Sequence, residues 1–222
     1  MAAALGARTI APRASLGVFV AAAFGLDLLW PIFLLTGLER VRIEPGNTAF
    51  TPLAFDHYPW SHSLLMAVVW ALIAGACAPT QANAARTRLV IGLTVLSHWV
   101  LDFVTHRPDL PLWPEGPRLG LGLWNSVPGT LIVEGALFLV AIVLYARVVP
   151  ARDAVGVWSL WSLVVFTGAI WMSGPWGPPP PSVSALTVAA LALFLLPIWG
   201  SWIERHRGRQ WASRIDDESM DA

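Results

Sequence analysis

Six stretches of this chain are long and apolar enough, or nearly so, to cross a bilayer, which takes about 20 residues of helix. They cover residues 15–38, 62–79, 88–106, 127–149, 155–173 and 183–203. Such runs leave the backbone few options, because in hydrocarbon every N–H and C=O must find its partner inside the segment. Composition points the same way: 56% of the 222 residues are hydrophobic and only 13% charged, against about 25% charged in a soluble domain. The expected fold class is therefore all-α: a polytopic membrane protein of about six transmembrane helices. Residues 1–209 would form a single integral membrane domain, and 210–222, ending "RIDDESMDA", a polar disordered tail. Arg8 and Arg13 before the first run suggest a signal peptide, but the run is too long for one and no cleavage site ends it. It reads as a retained helix.

Arginines set the expected orientation. With the N-terminus inside, ten lie in inner segments (Arg8, Arg13, Arg86, Arg88, Arg147, Arg152, Arg205, Arg207, Arg209, Arg214) and four in outer loops (Arg40, Arg42, Arg107, Arg118). That bias places both termini in the cytoplasm of a plasma-membrane protein. Trp60, Trp113, Trp124 and Trp176 then fall near the outer interface, and Trp158, Trp199 and Trp202 near the inner one, as anchoring indoles do. Zero net charge gives no reason to expect nucleic acid as a partner. The absence of lysine excludes a Schiff-base mechanism, and the single Cys77 excludes an internal disulfide or a cysteine-rich zinc site. Two outer loops, 39–61 and 107–126, are long and rich in turn residues, whereas "GPWGPPPP" at 174–181 reads as a stiff connector.

The third run ends in "SHWVLDFVTH". His98, Asp102 and His106 are spaced i, i+4, i+8 and share one stripe of a helix. An ionisable group in the membrane costs a few kcal/mol, so three on one stripe call for compensation. Other runs supply candidates: Asp27 in the first, His57 and His62 at the start of the second, Glu134 in the fourth. Under the arginine-based topology all seven lie in the outer half, and no basic residue in those runs can pair them.

Local features extend the pattern. Pro31 cannot donate to the Asp27 carbonyl, so a kink is expected there. Ser126, Thr130 and Glu134 repeat every four residues and form a polar stripe. In "DHYPWSHS" the two histidines are five apart, but Pro59 and a cap at Asp56 or Ser61 would put His57 at or before the first turn, so both rings converge. Imidazoles and carboxylates without thiols suit Zn²⁺ first, then Mn²⁺ or Fe²⁺, and seven groups are enough for two ions. The expected ligands are His57, His62, His98, Asp102 and His106. Asp27 and Glu134 are the expected catalytic acids or bases, and Arg107 and Arg118 the expected hold on an anionic substrate group.

"HYPWSHSLL" (57–65) followed by "SHWVLDFVTH" (97–106) resembles the YdjM-like family of membrane-bound, metal-dependent hydrolases, over roughly residues 20–135. That family carries a His-x4-His-Ser element and then a His-x3-Asp helix; where it usually has Arg after the first His, this chain has Tyr58. The resemblance implies a metal-dependent hydrolase, and its distant similarity to zinc-dependent phospholipases and nucleases implies a phosphoester or lipid-linked substrate. Two other readings remain open on the residues alone: a conduit for protons or metal ions, and a non-catalytic scaffold whose polar cluster fixes helix packing. A conduit should continue inward, where no matching acids are found.

Overall fold

The computed structural model describes residues 1–78 and 84–208. The expected tail at 210–222 lies outside the described residues. The chain is mostly helical, and the described residues hold fewer full spans than the six expected. Among the described residues, four helical stretches are long and apolar enough to cross a membrane: Ala85–Thr105, Val127–Val148, Ala154–Ser173 and Val183–Arg205. A fifth exists if a bent pair is counted as one.

That pair corrects the first expected span. Helix α1 (Ala2–Ile10) precedes it, and the run itself divides into α2 (Leu16–Ala23) and α3 (Gly25–Leu35), bent by 54°. The break falls at Phe24 (φ −101°, ψ 10°), not at Pro31, which lies inside α3. Gly25, a poor helix former, follows the break directly. Ser15 caps α2 by accepting from the Val18 N–H.

The second expected span is also shorter than the run that suggested it. A single turn, α4 (Pro59–His62), is separated from α5 (Leu64–Cys77) by Ser63, whose extended backbone (ψ 150°) stops one helix while its Oγ caps the next at Met66 N. The cap is thus Ser63, in place of the expected Asp56 or Ser61. Fourteen residues of α5 are too few to cross a bilayer straight.

The two long loops, 39–61 and 107–126, are not plain coil. Strands β1 (Arg40–Ile43) and β2 (Leu53–His57) pair antiparallel, Val41 opposite Phe55 and Ile43 opposite Leu53. Two-residue strands β3 (Leu110–Pro111) and β4 (Arg118–Leu119) form a second hairpin. The chain is mostly helical, as expected of an all-α fold, and these two short hairpins are its departures from that class.

Helix α6 (Ala84–Thr105) packs on α5 and α2; α7 (Val127–Val148) packs on α1; α8 (Ala154–Ser173), α9 (Val183–Leu191) and α10 (Leu195–Arg205) complete the bundle, the last two joined by a 3₁₀ turn at Ala192–Phe194. Helices α2 and α10 approach so closely that a Cβ on Gly17 would collide with Ser201 and the Pro197 carbonyl. Leu5, Leu16, Phe19, Val20, Leu26 and Ile203 are almost fully buried in that core. It holds α1, α2 and α10 together and so fixes the helix end from which Asp27 emerges.

Candidate metal centre

Three elements converge beneath the loops. Asp27 lies in the first turn of α3, His62 ends α4, and His98 and Asp102 lie one turn apart on α6. Asp27 Oδ1 is 3.5 Å from His62 Nε2 and 3.6 Å from His98 Nε2. Asp102 Oδ2 is 3.8 Å and 3.3 Å from the same two nitrogens. Two oxygens and two nitrogens therefore alternate around one small ring. Two ligands about 2.05 Å from a single Zn²⁺ at the tetrahedral angle lie about 3.3 Å apart, so these separations suit one ion with small shifts. One ligand atom each from Asp27, His62 and His98 lie within 4.8 Å of one another.

Both imidazoles are turned the right way round. His98 Nδ1 lies 2.7 Å from the Ala23 carbonyl, which can only accept, so Nδ1 carries a hydrogen and Nε2 is the nitrogen left to face the ring and take a metal. The break at Phe24 makes this possible, since Ala23 is the last residue of α2. His62 Nδ1 lies 2.6 Å from Ser61 Oγ. Asp102 Oδ2 is buried and has no hydrogen-bond partner in the protein. An orphaned carboxylate oxygen facing two imidazole nitrogens, with no arginine among their ion-pair partners, fits a divalent cation.

The other expected site residues lie elsewhere. His106 falls just past the end of α6 and turns to Asp109, its Nδ1 2.9 Å from Oδ1, where Tyr58 Oη also donates at 3.1 Å. Its ring packs against Phe55 and Trp124. His57 ends β2, and its Nδ1 lies 4.0 Å from the Glu115 carboxylate. The expected convergence of the His57 and His62 rings does not occur, because His57 is held in a strand and His62 in the turn after Pro59. Together with Arg118, His57 lines a separate cavity of about 200 Å³. Arg118 donates to the Asp56 carbonyl and Arg107 to Asp109. Glu134 accepts from two indoles, Trp124 Nε1 at 3.1 Å and Trp171 Nε1 at 2.7 Å.

Sequence reasoning passed over several partners. Glu39 is only 1% exposed, and its oxygens accept from Ser61 N and Ser61 Oγ, both at 2.7 Å. Burial pushes the Glu39 carboxyl above its usual range, against the pull of these bonds. Tyr58, shut in beside Asp109, is raised well above an ordinary phenol, burial being the main cause. In "WSHS" the position of Ser61 beside His62 is the only local signal, and it fits a helix cap equally well; nothing local marks Glu39 or Asp109.

Apolar helices around a buried group of histidines and aspartates define an integral membrane protein with a candidate metal centre. A family model described as YdjM inner membrane protein matches residues 40–177, more than half of the chain, and the protein belongs to that family. The matched region begins later and ends later than the 20–135 resemblance, extending through α8. It contains His62, His98 and Asp102 and leaves Asp27 outside. No curated protein and no solved structure matches the chain.

Proposed function

We propose that the protein is a membrane-embedded metal-dependent hydrolase. Asp27, His62, His98 and Asp102 hold one divalent ion, Zn²⁺ before Mn²⁺ or Fe²⁺, and the substrate is a phosphoester or lipid-linked molecule reached from the outer face, with both termini cytoplasmic. The observation that supports this most is the ring of two imidazole nitrogens and two carboxylate oxygens with sides of 3.3 to 3.8 Å. A divalent ion there would supply Lewis acidity and, by taking a fifth ligand on its open side, would lower the pKa of a water held in that position toward neutrality.

The chain's own groups do the rest. The Ala23 carbonyl and Ser61 fix the two rings. Asp27, at 31% side-chain exposure the most open of the four, marks the side from which a substrate approaches. Arg107 and Arg118 stand in the loop segment above, on hydrogen bonds that leave part of each guanidinium free for an anionic group. Glu134, held on the same end of the bundle by two indoles, is the candidate proton acceptor.

The test is hydrolysis of a panel of phosphomonoesters, phosphodiesters and lipid pyrophosphates by protein in detergent. Activity should vanish on chelation, return with Zn²⁺ or Mn²⁺, and be lost in His98→Ala. Metal bound at full occupancy without turnover of any phosphoester would overturn the hydrolase reading and leave a metal-binding membrane protein.

A further inference from the structure

The contacts behind His62 carry an inference that rests on the metal-site reading and deepens it. Glu39 stands in the segment between α3 and β1, and Ser61 and His62 in α4. The three are linked in series: Glu39 Oε2 to Ser61 Oγ at 2.7 Å, and Ser61 Oγ to His62 Nδ1 at 2.6 Å. Glu39 Oε1 is separately occupied by the Ser61 N–H at 2.7 Å. All three residues are buried, at 1%, 0% and 6% exposure, so water has little part in the chain.

A serine hydroxyl has one hydrogen to give. If Glu39 is ionised, its Oε2 can only accept, so Ser61 donates to Glu39 and must accept from His62. His62 then carries its hydrogen on Nδ1 and presents the Nε2 lone pair toward Asp27 and Asp102. If the group at Oε2 becomes a donor, the chain reverses. Ser61 then donates to Nδ1, the hydrogen moves to Nε2, and His62 cannot ligate. The Tyr58 carbonyl, 3.5 Å from Ser61 Oγ, is too distant to compete for the hydroxyl hydrogen.

We infer that Glu39, acting through Ser61, is a positioning residue that sets the ligating tautomer of His62. The role parallels that of the Ala23 carbonyl at His98, but is relayed by a hydroxyl. Glu39 touches neither His62 nor the ring of ligand atoms among its hydrogen bonds.

Glu39→Gln is the informative change, because the amide has little choice of orientation. Its carbonyl oxygen must stay on the Ser61 N–H, which leaves the NH₂ facing Ser61 Oγ and forces the reversed chain. Imidazole ¹⁵N shifts of the full chain in detergent, recorded without metal, read the tautomer directly; competition titration with Zn²⁺ alone reads affinity. Wild type should show His62 with hydrogen on Nδ1, and Glu39→Gln should show it on Nε2. The His98 signals should stay put and Zn²⁺ affinity fall by about 10- to 100-fold, the range typical of partners behind a metal ligand. Ser61→Ala should lose the same affinity, and Ser61→Thr, which keeps the hydroxyl, should restore it.

An unchanged His62 tautomer in Glu39→Gln overturns the inference, as does wild-type Zn²⁺ affinity in that variant. A tautomer that reverses as described, in a protein that binds no Zn²⁺ even as wild type, upholds the role of Glu39 and overturns the metal-site reading instead.

Discussion

The two ends of the helix bundle both bury charge, and they treat it in opposite ways. At the end formed by the start of α2 and the close of α10, every buried charge named here meets a partner. Arg8 pairs with Glu204, which also accepts from the Leu16 N–H. Arg207 donates to the Val149 and Gly156 carbonyls and lies over the Tyr145 ring. At the other end, two aspartates and two histidines face one another without an arginine, and Asp102 Oδ2 has no partner in the protein. Ion pairs that close on themselves hold helices together. A cluster left short of positive charge is arranged for something outside the chain.

Five changes would break or sharpen that contrast. The largest effect is expected from His98→Ala with Asp102→Ala, which should abolish stoichiometric metal binding while leaving the fold intact by circular dichroism; relief of carboxylate repulsion should even raise the thermal midpoint of the metal-free protein. Arg8→Ala should do the reverse. It strands Glu204 and should destabilise by about 3 kcal/mol in a denaturation series with metal content unchanged. The paired change Arg8→Met with Glu204→Gln, which keeps an acceptor for Leu16 N, should recover most of that.

A smaller loss separates Glu134 from both groups. Glu134→Gln can satisfy only one of the Trp124 and Trp171 N–H donors, and should cost about 1 kcal/mol for the half-buried donor left over.

The smallest effect belongs to Asp153, the cap of α8. Its hydrogen bond to His206 holds the carboxyl below its usual range of about 3.8. A group lowered on folding stabilises above its unfolded pKa and loses that contribution as pH falls through the folded value. Asp153→Asn keeps the cap, so its slightly lower thermal midpoint at pH 7 should merge with wild type as pH falls through the lowered folded-state value.

The apolar runs were legible because bilayer thickness leaves a long signature in composition. Their interruptions were not. Ser61 and Ser63 offer the same capping chemistry two residues apart, and only the packed structure shows that Ser63 starts α5 while Ser61 meets Glu39. A proline at 31 drew attention from Phe24, where the chain bends and frees a carbonyl for His98.

Helical spacing brought His98 and Asp102 to one stripe, and they do face a common point. Extending the stripe to His106 requires a helix that continues past Thr105, where α6 ends. Beyond it the loop supplies Asp109 and draws the ring away. Asp27 and His62 reach the same point from other elements, which no periodicity could foresee. The two hairpins rest on short strands set between Pro and Gly turns, too brief to register against the membrane runs.

The most direct test of the central claim is elemental analysis of protein purified in detergent after growth with zinc and manganese, wild type beside His98→Ala/Asp102→Ala. The account predicts close to one equivalent of a divalent transition metal in the wild type and none in the variant. Metal absent from both, or retained equally by both, would contradict it.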